Sequence, residues 1–186
     1  MRKTLLLVLI PIITIALVYA LIHFIGMQGF AFAWALNFLL MACALTFTET
    51  LKSQLNSPYF KDKTWERNGK IYEYFGINLY RKLLVWIGWE KLNKKSSPVE
   101  KNRAALLHLH YRTKHSELGH IIIFLIVLGI NIFVAIRFGI AQSFWLLILN
   151  VLLNLYPIFL QRYNRPRIER AINLSKPGPI SFVQRA

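Results

Sequence analysis

Aspartate occurs once in this chain of 186 residues, at Asp62, and cysteine once, at Cys43. A lone cysteine rules out an intrachain disulfide, and its place inside an apolar run says nothing of the redox compartment. The chain has no Gly-x-Ser-x-Gly elbow, no P-loop and no dinucleotide-binding glycine fingerprint, so those chemistries lack their usual signatures. Acidic residues are scarce, eight Asp plus Glu against 23 Lys plus Arg, for a net charge of +15. Such a balance raises the question of nucleic acid. The basic residues, however, flank apolar runs and no nucleic-acid motif accompanies them, so the implied partners are membrane headgroups and anionic ligands.

Long apolar runs are what the chain does have. Hydrophobic residues make up 55% of it, and several uncharged stretches reach the roughly 20 residues that cross a bilayer. Leu5–Ile25 follows a basic Met1-Arg2-Lys3 start; it is longer than a signal-peptide core, and Val18-Tyr19-Ala20 is a poor cleavage site, so an uncleaved anchor is expected. Gly26–Gly29 is a tight break before Phe30–Phe47, a short span carrying Asn37. Leu118–Ile136 is the third span, Arg137-Phe138-Gly139 a turn, and Ile140–Leu160 the fourth. The tail, with Lys176-Pro177-Gly178-Pro179, reads as flexible or extended.

The expected fold is therefore all-α and polytopic. Residues 1–47 hold two transmembrane helices, 48–116 a cytoplasmic basic amphipathic segment, 117–160 a transmembrane helical hairpin and 161–186 a cytoplasmic basic tail. Orientation follows from charge. Lys plus Arg against Asp plus Glu is 2 to 0 in Met1–Thr4, 14 to 6 in Thr48–Ser116 and 6 to 1 in Gln161–Ala186, while the two short connections hold only Arg137. The positive-inside rule places both termini and the long segment in the cytoplasm.

That segment is more than a linker. Across Lys70–Leu92, Ile71, Tyr72, Phe75, Leu79, Leu83, Trp86 and Ile87 recur at spacings of three and four between basic residues, as in an interfacial helix, and Trp65, Trp86 and Trp89 suit the headgroup layer. Gly69, Gly76 and Gly88 divide it into shorter pieces. Lys94–Asn102, with Pro98, reads as a polar hinge. Arg103–Lys114 resumes a helical pattern that can run on into the third span.

Two polar constellations stand at the cytoplasmic edge. Glu117 and His120, three residues apart, share one helix face, with Asn131 within about 40° of Glu117. Ionisable groups at the edge of hydrocarbon are costly unless they face protein or a wet cavity, which makes the pair a functional candidate. Asn150, Asn154, Pro157 and Gln161 form a second stripe, whose plain reading is interhelical hydrogen bonding. Directly after the fourth span comes Gln161-Arg162-Tyr163-Asn164-Arg165-Pro166-Arg167. Three arginines there make a fork of donors for phosphate or carboxylate oxygens, and Pro166 predicts a turn. Arginines serving only as a stop-transfer anchor are the plainer alternative, although the interleaved Gln, Tyr and Asn exceed what an anchor needs. Counted back from the hairpin turn, His120 and Gln161 lie about 27 and 33 Å away at 1.5 Å per residue, so both reach one level.

His108, His110, His115 and His120 also admit a mononuclear metal site with Glu117. His108 and His110, two apart on a helix, point in different directions. Soluble-type glycerolipid acyltransferases use His-x4-Asp, and no histidine stands five residues before Asp62.

Glu117-Leu118-Gly119-His120 opening one span and the arginine motif closing the next resemble the glycosyl-4,4'-diaponeurosporenoate acyltransferase family. So do Trp65-Glu66-Arg67-Asn68-Gly69-Lys70, Tyr72, Gly76-Ile77 and Tyr80-Arg81-Lys82. The likeness covers Pro58–Ile168 apart from the hinge near Ser96, and the chain has one span more before the cytoplasmic segment than the family pattern implies. The resemblance implies a multi-pass enzyme of the bacterial cell membrane, in the staphyloxanthin pathway. It would move a fatty acyl group onto a sugar hydroxyl of a glycosylated carotenoid, without a cofactor or metal. The partners are then an acyl donor such as acyl-coenzyme A and a hydrophobic lipid acceptor. On this reading His120 is the general base and Glu117 orients it. Gln161, Arg162, Arg165 and Arg167 hold the donor, and Asn164 or an arginine steadies the oxyanion. Glu66, Tyr80 and Lys82 enter the site through the resemblance alone. A non-catalytic membrane protein that binds anionic lipid or a membrane partner is the alternative from another class.

Overall fold

The computed structural model describes residues 2–51, 55–88 and 102–175. Among them the regular structure is helical and no strand occurs. Four helices are long and apolar enough to cross a membrane, as the sequence predicts. Helix α1 spans Arg2–Ile25 and α2 Gly29–Leu51. The short helices α3 (Ile71–Tyr74) and α4 (Ile77–Trp86) follow. Helix α5 is the long Arg103–Phe138, and α6 is Ile140–Asn150. A π-helical turn, Val151–Leu155, leads without a break into α7, Tyr156–Leu174. Trp89, the hinge at Lys94–Asn102 up to its last residue, and the Lys176–Pro179 tail lie outside the described residues.

The chain divides into two compact units, Met1–Lys61 with Lys114–Arg162, and Asp62–Thr113 with Tyr163–Ala186. Two of the cuts fall inside α5 and α7, and the third follows Lys61.

In the first unit, α2 presents Phe32, Ala33, Leu36, Leu40 and Ala44 along one stripe, all buried against Ile123, Val127 and Val134 of α5 and Leu146 and Leu149 of α6. Ala33 and Ala44 let the backbones approach, as packing in lipid requires, where no hydrophobic force separates helix from tail. Helix α1 has no fully buried residue; only Val18, Leu21 and Ile22 lean on this core. Its remaining apolar surface suits hydrocarbon as solvent. Phe30, Trp34 and Trp145 cluster at the starts of α2 and α6, with ring centroids 5.2 Å apart for Phe30–Trp145 and 5.7 Å for Phe30–Trp34. Aromatic rings so placed mark a membrane interface. Gly139 alone makes the hairpin turn, at φ 97° and ψ 157°, a region open in practice only to glycine.

In the second unit the amphipathic stretch is broken where the glycines predict. Gly69, Gly76 and Gly88 all have positive φ, and Gly76 at φ 76° starts α4. Ile77 and Tyr80 pack inward, while Tyr74, Phe75, Leu79 and Trp86 are exposed.

One expectation is corrected. Pro166 does not turn the chain; it lies inside α7, which continues to Leu174. Proline removes one helical donor and crowds the preceding turn. The Arg167 guanidinium donates to the Tyr163 carbonyl in the same turn, while the carbonyl that Pro166 leaves without its helical donor is that of Arg162.

Candidate functional site

In the first unit three segments meet at Glu117. Its carboxylate, fully buried, accepts from Arg162 Nε at 2.7 Å, and Arg162 is itself only 9% exposed. Arg162 also donates to the Tyr59 carbonyl at 2.9 Å, and its guanidinium sits 4.5 Å from the Tyr59 ring centroid. Burial, and then the charge of Glu117, hold the Tyr59 phenol above its ordinary range against the opposing pull of Arg162. An ion pair this deep is strongly destabilised if one partner is lost, because the survivor stays charged and dry. Close by in sequence, Gln161 donates to Ser116 Oγ at 3.2 Å.

One helical turn further into the span, His120 is half-buried, and its Nδ1 lies 3.3 Å from Asn154 Oδ1. Asn154 occupies the π-helical turn and is fully buried. Its amide nitrogen donates to Asn37 Oδ1 at 2.7 Å and to Asn150 Oδ1 at 2.9 Å. Asn37 donates in turn to the Ala33 carbonyl at 2.8 Å, and Asn150 to that of Phe124 at 3.1 Å. The Leu153 backbone is a further hydrogen-bonding neighbour of the imidazole. Pro157, which has no N–H, withholds a helical donor from the carbonyls one turn back, Leu153 among them. Such π turns are frequent at functional sites. Asn131, on the face shared with Glu117, donates instead to the Ser143 carbonyl at 2.8 Å and ties the hairpin. Among the described contacts, then, Asn154 is at Nδ1 of His120, and Glu117 is engaged by Arg162 and Tyr59.

The arginine motif is divided between the units. Arg165 and Arg167 belong to the second. Arg165 is 3% exposed and donates through Nε to Thr113 Oγ1 at 3.3 Å. Arg167 is exposed, 3.6 Å over the Tyr163 ring, with Glu73 Oε1 at 3.5 Å. Arg81 approaches the same ring, 5.4 Å from its centroid. Asn164 is half-buried and Lys82 exposed. Glu66 is buried and accepts from Tyr72 Oη at 2.7 Å and from the Lys63 amide at 2.9 Å, so it braces the loop ahead of α3. Tyr80 is buried, and burial pushes its phenol up to about 12.

Burial of Arg162 and Arg165 speaks against a plain stop-transfer anchor, whose arginines would face headgroups. Of the histidines, His110 meets Glu169 at 2.8 Å. Among the described residues no three His, Cys, Asp or Glu side chains are grouped to hold a metal. Residues that the sequence reading did not assign to the site are Tyr59, Asn37, Asn150 and Asn154 in the first unit and Thr113 in the second. Asn37 was visible as a polar residue in a span, but its partner lies more than a hundred positions away.

Fold and site together define a polytopic helical membrane protein that keeps His120 and Glu117, the acid of a buried pair with Arg162, on adjoining turns of α5. Residues 56–174 match the glycosyl-4,4'-diaponeurosporenoate acyltransferase family, and the chain belongs to that family. It is an acyltransferase of the carotenoid-pathway class. Comparison with curated proteins and with solved structures gave no match.

Proposed function

We propose that the chain transfers a fatty acyl group from a thioester donor, of the acyl-coenzyme A kind, onto a sugar hydroxyl of a hydrophobic glycolipid. The reaction takes place at the cytoplasmic face of a bacterial cell membrane, with both termini on that side. The observation that carries this reading is the half-buried imidazole of His120, engaged at Nδ1 and one turn from the buried Glu117–Arg162 pair. With its proton on Nδ1, a neutral imidazole carries its lone pair on Nε2. That nitrogen takes the proton of the acceptor hydroxyl as the oxygen attacks the thioester carbonyl. The tetrahedral intermediate then collapses, the C–S bond breaks, and the proton passes from Nε2 to the departing thiolate. Arg162, fixed by Glu117, lends its positive charge to the oxyanion. Arg165, Arg167, Asn164 and Gln161 keep the donor-binding role expected from the sequence, and Glu66, Tyr80 and Lys82 that implied by the family. Glu117 acts by holding Arg162.

Lipid profiling of cells carrying the parent chain or His120→Ala tests this. An acylated glycolipid should appear with the parent. Removing a general base costs about 10²–10⁴ in rate, so the product should vanish with His120→Ala and persist with His108→Ala and His110→Ala. A His120→Ala chain that accumulates normally and still makes the product would remove the base from the scheme.

A further inference from the structure

Three buried asparagines converge behind His120, and their hydrogen bonds can be satisfied in one sense only. The two ends of the network are backbone carbonyls, which accept and never donate. The Ala33 carbonyl therefore fixes the Asn37 side chain with its nitrogen outward and its Oδ1 toward Asn154, and the Phe124 carbonyl does the same for Asn150. Asn154 then faces two acceptor oxygens, at 2.7 and 2.9 Å, and must spend both N–H groups on them. Its Oδ1 is left to face Nδ1 of His120 at 3.3 Å. An oxygen there requires a donor, so Nδ1 carries the proton; the Leu153 backbone, the ring's other hydrogen-bonding neighbour, does not alter what Asn154 demands of Nδ1. Amide orientation is ordinarily a matter of assignment; here the carbonyl anchors decide it.

We infer that Asn37, Asn150 and Asn154 are positioning residues that hold His120 as its Nδ1–H tautomer, leaving the lone pair on Nε2. The inference bears on catalysis through the proposed role of His120 as base, but the tautomer itself is independent of that role. Asn37 comes from α2, outside residues 56–174 that match the family. The second span of this chain thus completes a device that the matched region holds only in part. The physical need is plain. A neutral imidazole in water slightly prefers its proton on Nε2, the wrong nitrogen for a base acting there. An amide turned the other way would present N–H to Nδ1 and enforce that form. Inside hydrocarbon, where an unpaired amide finds no water to bond, the network resists turning.

Magic-angle-spinning NMR of the full chain in lipid bilayers, with ¹⁵N-histidine labelling, reads the tautomer directly, since protonated and bare ring nitrogens resonate far apart. His120 is identified by the signal lost in His120→Asn. The parent at neutral pH should show a protonated Nδ1 and a bare Nε2, and Asn37→Leu, which frees Asn154 to turn, should move population to Nε2–H. In the lipid-profile assay Asn37→Leu and Asn154→Leu should each lower product at least tenfold at equal protein level. A parent spectrum with Nε2–H overturns the inference without needing any variant to fold. An Asn37→Leu spectrum identical to the parent overturns the part played by α2. Activity retained by His120→Ala, with the parent spectrum as expected, instead refutes the general-base reading and leaves the tautomer assignment intact.

Discussion

At the scale of single residues, Arg162 and Arg165 invite different substitutions because they are held differently. Arg162 is locked to a buried carboxylate, so Arg162→Leu should destabilise the chain by about 3–5 kcal/mol through the stranded charge of Glu117. Paired with Glu117→Leu it should recover most of that stability, since two apolar groups replace two charges, yet remain without acyl transfer. Thermal unfolding in detergent, compared with product formation, separates the two effects. Arg165 is buried against Thr113, and for it Arg165→Lys is the telling change. Lysine preserves charge but not the planar fork, so product should fall, by less than for Arg165→Ala. Equal activity in a chain that accumulates normally would return Arg165 to a purely structural role.

At the scale of elements, the breaks were more legible than the continuities. Gly76 and Gly139 act as the sequence suggests because positive φ is a local demand that glycine meets by itself. Gly139→Ala should cost about 1–3 kcal/mol of hairpin stability for that reason. Pro166 was misleading because a proline's effect depends on its surroundings: one lost hydrogen bond does not end a helix that continues on both sides of it, from Tyr156 to Leu174. Helix α4 offers a titration test. Tyrosine ionises near pH 10 in an unfolded chain, whereas Tyr80 in place is pushed up to about 12. Between those values the unfolded form has lost a proton that the folded form keeps, so stability falls as pH rises through the window. Below pH 10 the contribution is fully present. Tyr80→Phe should flatten that alkaline loss, as followed by circular dichroism against pH.

At the scale of the whole molecule, the four spans and their order were readable because length and hydropathy are sums that no partner alters. The pairing of side chains was not. The stripe of Asn150 and Asn154 could be drawn on one helix, but that Asn37 would complete it depends on how α2 packs, which no local pattern encodes. Glu117 and His120 were rightly read as neighbours on one face. That each takes a different partner follows from one turn of depth. Orientation is the remaining global expectation. Reporters placed after Ala186 and near Ser96 should both read cytoplasmic, because basic flanks resist translocation; an external signal from either would put the site on the wrong side for its donor.

The asparagine network also constrains how the protein is made. Asn37 and Asn154, joined at 2.7 Å, are separated by 117 positions, so the ribosome delivers the first long before the second. Until the fourth span arrives, α2 carries into the bilayer an amide oxygen and a polar notch with nothing to answer them. A chain stopped before Asn154 would leave the Asn37 amide oxygen without that donor. The fourth span is thus the one that completes the hydrogen bonding of the second.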